Sequence, residues 1–108
     1  MSLTQTAGTR AWVLHPDIPD DRGARAPAHA LEEAVALARA LPGLELRGAD
    51  VVRLNRPHPG TLFGKGKIEE LRALVAAEEL ELVLIDGPVT PVQQRNLENA
   101  LGVKLLDR

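Results

Sequence analysis

Residues 82–93 read Leu82-Val83-Leu84-Ile85-Asp86-Gly87-Pro88-Val89-Thr90-Pro91-Val92-Gln93. Four consecutive aliphatic residues closed by Asp-Gly-Pro fit a strand covered on both faces, central in a parallel sheet. Directly after the turn comes a helix start. Thr90 can cap, Pro91 suits the first helical position, and Gln93 can complete a reciprocal capping box. Leu97, Ala100 and Leu101 continue at helical spacing, and Gly102 is placed for the C-terminal cap. Val103-Lys104-Leu105-Leu106 reads as a further strand. A strand–helix–strand unit of this kind implies parallel pairing through a right-handed crossover.

The same unit recurs upstream. Trp12-Val13-Leu14, ended by His15-Pro16, reads as a buried strand, and residues 16–27 as a loop rich in Pro, Gly and Asp. Pro27 opens a helix whose apolar positions are Leu31, Ala34, Val35, Ala38 and Leu41, and Pro42-Gly43 stops it. Residues 44–54 alternate as a strand. Gly48-Ala49-Asp50 suggests a bulge, and the polar interruptions suggest a sheet edge. Pro57 and Pro59 forbid regular structure until Gly64. A second helix starts near Gly66, with Ile68, Leu71, Leu74 and Val75 as its apolar stripe. Glu69 and Glu70 are expected in its first turn, where the helix dipole favours acids. It ends near Glu79.

The order β-α-β-α-β-α-β predicts an α/β domain: a four-stranded parallel sheet, order 2-1-3-4, with three helices on its two faces. The first helix is expected on one face, the second and third on the other. Residues 1–10 are expected to be a disordered tail and residues 11–108 a single domain.

Composition narrows the chemistry. The chain has 108 residues, about one domain. Cysteine is absent, which excludes disulfides, thiolate–zinc sites and cysteine nucleophiles. The only serine is Ser2, so no Gly-x-Ser-x-Gly elbow exists. One Trp, one Phe and no Tyr argue against a surface that stacks single-stranded bases. His15, His29 and His58 sit on different elements without ligand spacing, so no metal site is expected. No apolar run is long enough to cross a membrane, and the polar N-terminus lacks a signal core. These features predict a cytoplasmic protein.

Net charge is −2, from 13 basic and 15 acidic residues, so no global basic field draws the chain to nucleic acid. The charge is uneven. Residues 53–67 hold Arg53, Arg56, Lys65 and Lys67 and no acid, whereas residues 68–86 sum to −5. In open parallel sheets, ligands bind beyond the carboxyl ends of the strands. The basic block falls in the loop 54–66 at that edge. There Gly64 and Gly66 leave the backbone open, and the helix start with Lys65 and Lys67 forms a candidate anion site. A solvated turn is the plainer reading and stays open beside it.

Other patterns fail. From Gly60 the second P-loop glycine falls on Lys65, and Gly66-Lys67 is followed by Ile68, which cannot hold Mg²⁺. Asp20-Asp21-Arg22-Gly23 matches a GTPase pattern by coincidence. Asp86 occupies a receiver-like phosphoacceptor position, but position 15 is His rather than acid, and the turn-stabilising role is favoured. Gln93-Gln94-Arg95-Asn96 is a polar stretch in which Gln94 and Arg95 are possible secondary contacts to RNA or a neighbouring domain.

Two longer stretches are more specific. Thr61-Leu62-Phe63-Gly64-Lys65-Gly66-Lys67-Ile68-Glu69-Glu70-Leu71 resembles the signature of the N-terminal domain of HflX-type GTPases. So does Thr90-Pro91-Val92-Gln93-Gln94-Arg95-Asn96-Leu97-Glu98, continuing to Leu106-Asp107-Arg108. Arg53 and Arg56-Pro57 fit the same pattern. The resemblance covers roughly residues 11–108. It implies a cytoplasmic, stress-related GTPase that binds the large ribosomal subunit. In such proteins this domain contributes ribosomal RNA contacts and influences nucleotide turnover. A helical segment and the GTPase domain, with its GTP and Mg²⁺, then follow. This chain ends before them, so no cofactor and no catalytic residue are expected in it. The expected RNA- or phosphate-binding residues are Arg53, Arg56, Gly64, Lys65, Gly66 and Lys67, with Gln94 and Arg95 secondary. The expected partners are the large subunit and the protein's own GTPase domain. The alternative is a stand-alone domain binding a small phosphorylated ligand at the Gly-Lys-Gly-Lys loop.

Overall fold

A computed structural model describes residues 8–18 and 26–107. The elements are β1 (Thr9–Asp17), α1 (Pro27–Arg39), β2 (Leu44–Arg53), α2 (Lys65–Glu78), β3 (Leu82–Ile85), α3 (Pro91–Leu101) and β4 (Lys104–Asp107). They form a four-stranded sheet in the order β2-β1-β3-β4, parallel throughout, as the sequence predicts. Residues 1–7 of the expected tail, and the Asp20-Asp21-Arg22-Gly23 pattern, lie outside the described residues.

Two cores form, one on each face. Ile68 and Leu71 of α2 and Leu97 and Leu101 of α3 pack with Leu14, Val52, Val83, Ile85 and Leu105 of the sheet. On the opposite face, Ala34 and Ala38 of α1 pack on Val13, with Leu31, Leu46 and Leu84 partly buried around them. The helices therefore divide between the faces as expected. Leu41 does not join the second core: it is 51% exposed, and Leu37 is 49% exposed.

The first strand is longer than its apolar run. Thr9 and Arg10 belong to it, not to a tail, and it continues through His15 and Pro16 to Asp17. Proline lacks the backbone donor a central strand needs. Here the need never arises. The Leu14 carbonyl accepts from the Asp86 amide, so by alternation Pro16 also faces the β3 side, where β3 has already ended. Pro16 pairs only along β2, opposite Val52.

The bulge also differs in place. The β1–β2 register passes from Ala11↔Leu46 to Trp12↔Gly48, so Arg47 is the extra residue. Its guanidinium bonds the carboxylates of Glu45 (2.8 Å) and Glu78 (3.2 Å). These hydrogen bonds, Glu45 first, raise the pKa of Arg47. Gly48 has a steric role: a Cβ there would collide with the Trp12 ring, whose Nε1 donates to Asp50 at 3.1 Å. Gly48→Ala must displace the indole and break that bond. Overpacking of this kind costs about 1–3 kcal/mol, read as a lower urea midpoint together with a shift in Trp12 fluorescence.

Helix α2 starts at Lys65, with Gly64 as its N-cap. Its first turn therefore contains no acid, and Glu69 and Glu70 fall just beyond it. At the other end Glu79 adopts a left-handed conformation as the C-cap. Helix α3 has the full capping box between Thr90 and Gln93, and Gly102 is left-handed at its C-cap. No described helix is long and apolar enough to cross a membrane.

Candidate functional site

The connection from β2 to α2 is built rather than loose. His58 and Leu62 exchange both backbone hydrogen bonds, at 2.9 and 2.7 Å, closing a tight turn over Pro59, Gly60 and Thr61. The Thr61 hydroxyl donates to the Phe63 carbonyl at 2.9 Å. Leu62 has φ of 66°, unusual for a branched side chain. Burial explains why it holds: Leu62 and Phe63 both enter the core beneath α2 and α3, and Phe63 is fully buried.

Two α3 side chains clamp this turn. Gln93 Nε2 donates to the His58 carbonyl, and Asn96 Nδ2 donates to the Gly60 carbonyl, both at 2.8 Å. Gln93 is the buried polar residue among those described. Sequence reasoning identifies Gln93 as a cap and misses the link to His58. Gln94 also works inside the domain. Its Nε2 donates to the Leu105 carbonyl at 3.1 Å, while Glu98 accepts from the Leu105 amide at 2.9 Å. Lys104 donates towards Glu81 on the β3 side, so Leu105 faces outward by alternation. Helix α3 thus takes up part of the free edge of β4, which would otherwise invite pairing with another chain. Arg95 is exposed.

The clamped turn delivers Gly64 to Lys67 as the start of α2. The Ile68 amide makes the first helical bond, to the Gly64 carbonyl at 3.0 Å. No side chain caps this terminus. The amides of Lys65, Gly66 and Lys67 therefore stand at the positive end of the helix dipole without a capping acceptor. Neither glycine is required by the fold. Gly64 has φ of −72°, open to any residue, Gly66 is helical, and a Cβ at either would meet nothing within 4 Å.

The four cations are not equivalent. Lys67 pairs with Glu70 at 3.1 Å. Arg53 lies 3.8 Å from Asp17, with its side chain 81% exposed, a loose contact. Arg56 and Lys65 are exposed and have no ion-pair partner among the described residues. Arg53 and Arg56 lie at and after the end of β2, Lys65 and Lys67 at the start of α2. The turn at 58–62 joins the two pairs.

A second group lies at the same sheet edge and is not evident from residue spacing. His15 Nδ1 lies 3.0 Å from Asp86 Oδ2, and both side chains are largely buried. The Asp86 carboxylate thus reaches across to β1 besides closing its own turn. The pair joins the ends of the two central strands.

Comparison with known proteins identifies the family. Residues 28–108 match the family model for the N-terminal region of GTP-binding GTPases. The chain is 38% identical over 66 residues to the GTPase HflX of Magnetococcus marinus, covering 61% of this chain and 15% of that protein. It is 38% identical over 91 residues to the GTPase HflX of Lacrimispora saccharolytica, covering 82% of this chain and 20% of the relative. A mouse protein named as a GTP-binding protein is 31% identical over 104 residues, covering 92% of this chain and 20% of its own length. The chain thus spans about a fifth or less of the length of these relatives. The clamped turn before α2 and the capped α3 both lie in the matched region, and the chain belongs to the GTP-binding GTPase N-terminal family, as the N-terminal domain of an HflX-type GTPase.

Proposed function

We propose that this domain is the ribosomal-RNA-binding and regulatory part of a cytoplasmic GTPase that acts on the large ribosomal subunit. GTP and Mg²⁺ belong to the domain that comes after it. The reading is carried by one observation: two glycines that the fold does not require sit between two lysines at an uncapped helix start. Removing side chains there lets a phosphate approach the amides of residues 65–67 closely. Arg56 and Lys65 add charge that is not spent on ion pairs among the described residues, and Arg53 is only loosely engaged. Lys67 contributes less, because Glu70 competes for it. Gln94 is engaged with β4, which leaves Arg95 as the secondary contact.

Two variants of the full-length protein test this by sedimentation with large subunits. Arg56→Ala/Lys65→Ala should weaken binding about tenfold and lower the slope of log affinity against log salt by about 2. Gly66→Ala separates structure from function. Alanine in a compatible helical site stabilises by about 0.4–1 kcal/mol, so a purely structural terminus predicts a more stable protein with unchanged binding. Phosphate approach predicts a more stable protein that binds RNA less well. Unchanged pelleting by both variants removes this loop from RNA contact. Calorimetry with GTP, ATP and AMP covers the alternative of a small phosphorylated ligand at the same loop.

A further inference from the structure

The side chain of His58 carries more than its turn requires. The Gly60 amide donates to His58 Nδ1 at 3.2 Å, so this ring nitrogen acts as an acceptor. That hydrogen bond assigns the tautomer: a neutral imidazole that accepts at Nδ1 carries its proton on Nε2. The side chain is exposed, and Nε2 has no hydrogen-bond partner among the described residues. Asn or Asp closes a turn onto the amide two residues on with a shorter side chain. Histidine adds an N–H on the far side of the ring, directed away from Gly60. The clamp from α3 fixes that direction. Gln93 and Asn96 hold the carbonyls of His58 and Gly60, the two residues whose ring and amide meet. The turn itself joins Arg56 to Lys65, two exposed cations without an ion-pair partner among the described residues.

We propose that His58 Nε2–H donates to a phosphodiester oxygen of RNA, as a neutral contact between the cations Arg56 and Lys65. The proposal rests on the reading of this loop as an RNA-binding surface. Arg56 and Lys65 attract a phosphate chain through charge, over a distance and from many directions. A neutral N–H acts only in contact and along its own axis, so it fixes where a phosphate sits. An unclamped histidine would lose that selectivity to free rotation of the ring. Here the ring is tied to the backbone at Nδ1, and the backbone is tied to α3.

Sedimentation of the full-length protein with large subunits, at about pH 8 where imidazoles are neutral, tests the proposal. His58→Asn keeps a side-chain acceptor for the Gly60 amide and removes the far donor. It should weaken binding about fivefold and leave the salt slope unchanged, since no charge is lost. Arg56→Ala/Lys65→Ala, run beside it, should lower that slope. Hydrogen exchange at the Leu62 amide, which is bonded to the His58 carbonyl, reports the turn. It should match the parent in His58→Asn and quicken in His58→Ala. A role confined to the turn predicts instead that His58→Asn binds like the parent and only His58→Ala loses affinity. That result overturns the proposal, and the charge reading stands if Arg56→Ala/Lys65→Ala still binds weakly. Unchanged binding by all three variants removes both. A second measurement needs no substitution. Labelling of His58 by diethyl pyrocarbonate, read against His29, which is exposed on α1 over the opposite face, should fall several-fold when subunits are bound. Unchanged labelling overturns the proposal. Labelling that falls with inorganic phosphate but not with subunits also overturns it, and assigns the imidazole to a small phosphorylated ligand.

Discussion

Phe63→Ala should destabilise the domain by about 4 kcal/mol, read as a large drop in the urea midpoint at unchanged slope. Phe63 is fully buried in the core shared by α2, α3 and the sheet, so its removal leaves a cavity that packed neighbours fill only partly. A domain of this size has about 5–15 kcal/mol of total stability, so the loss is a large share of it. The consequence reaches the candidate site directly. Phe63 is the last residue before the Gly64 cap, and its carbonyl receives the Thr61 hydroxyl. Its ring is the anchor that keeps the turn at 58–62 flush with the core. In 1 M trimethylamine oxide, which favours the compact state, the refolded variant should still bind ribosomal subunits more weakly than the parent. Val13→Ala, buried in the core on the opposite face of the sheet, should lose stability without that binding defect.

The strand order was legible because each element carries an unambiguous local signal. Leu82 to Ile85 is too continuously apolar for an edge, and the interrupted pattern of residues 44–54 is too polar for a centre. Caps were legible for the same reason: Thr90, Gln93 and Gly102 act on atoms within a few residues of themselves. The features that stayed hidden depend on partners far along the chain. Pro16 reads as a strand stop, and only the end of β3 beside it makes proline harmless there. Gly48 reads as a bulge, yet its reason is Trp12 on the next strand, while the extra residue is Arg47. The candidate site divides in the same way. Gly64 to Lys67 was placed correctly at a helix start, because the two glycines and the apolar stripe after them are local. That Lys67 is taken by Glu70 while Lys65 is not depends on side-chain geometry. The pairing of His15 with Asp86 follows from β1 and β3 being neighbours, so the predicted strand order already held the signal. Gln94 shows the opposite error. A polar residue on an early helical turn looks free until the free edge of β4 is found against it.

Gln93→Ala should cost about 3 kcal/mol, because one side chain holds together three parts of the fold. Its Oε1 accepts from the Thr90 amide at 3.0 Å, and its Nε2 donates to the His58 carbonyl at 2.8 Å. Truncation removes both bonds from a residue that is 7% exposed. The two halves can be separated. Thr90→Ala loses only the side-chain acceptor for the Gln93 amide, worth about 1 kcal/mol. The excess seen with Gln93→Ala therefore measures the lost reciprocal cap bond together with the link from α3 to the turn. Asn96→Ala breaks the neighbouring link to Gly60. Residues that hold one segment in common do not add independently. Once Gln93 is gone the turn is already loosened, so Asn96→Ala should cost less in that background than alone. An additive double mutant would mean that the two amides stabilise α3 separately and do not act as one clamp. In that case Gln93 and Asn96 each hold the turn through a bond of their own, and losing one leaves the other's contribution to presenting the basic loop intact.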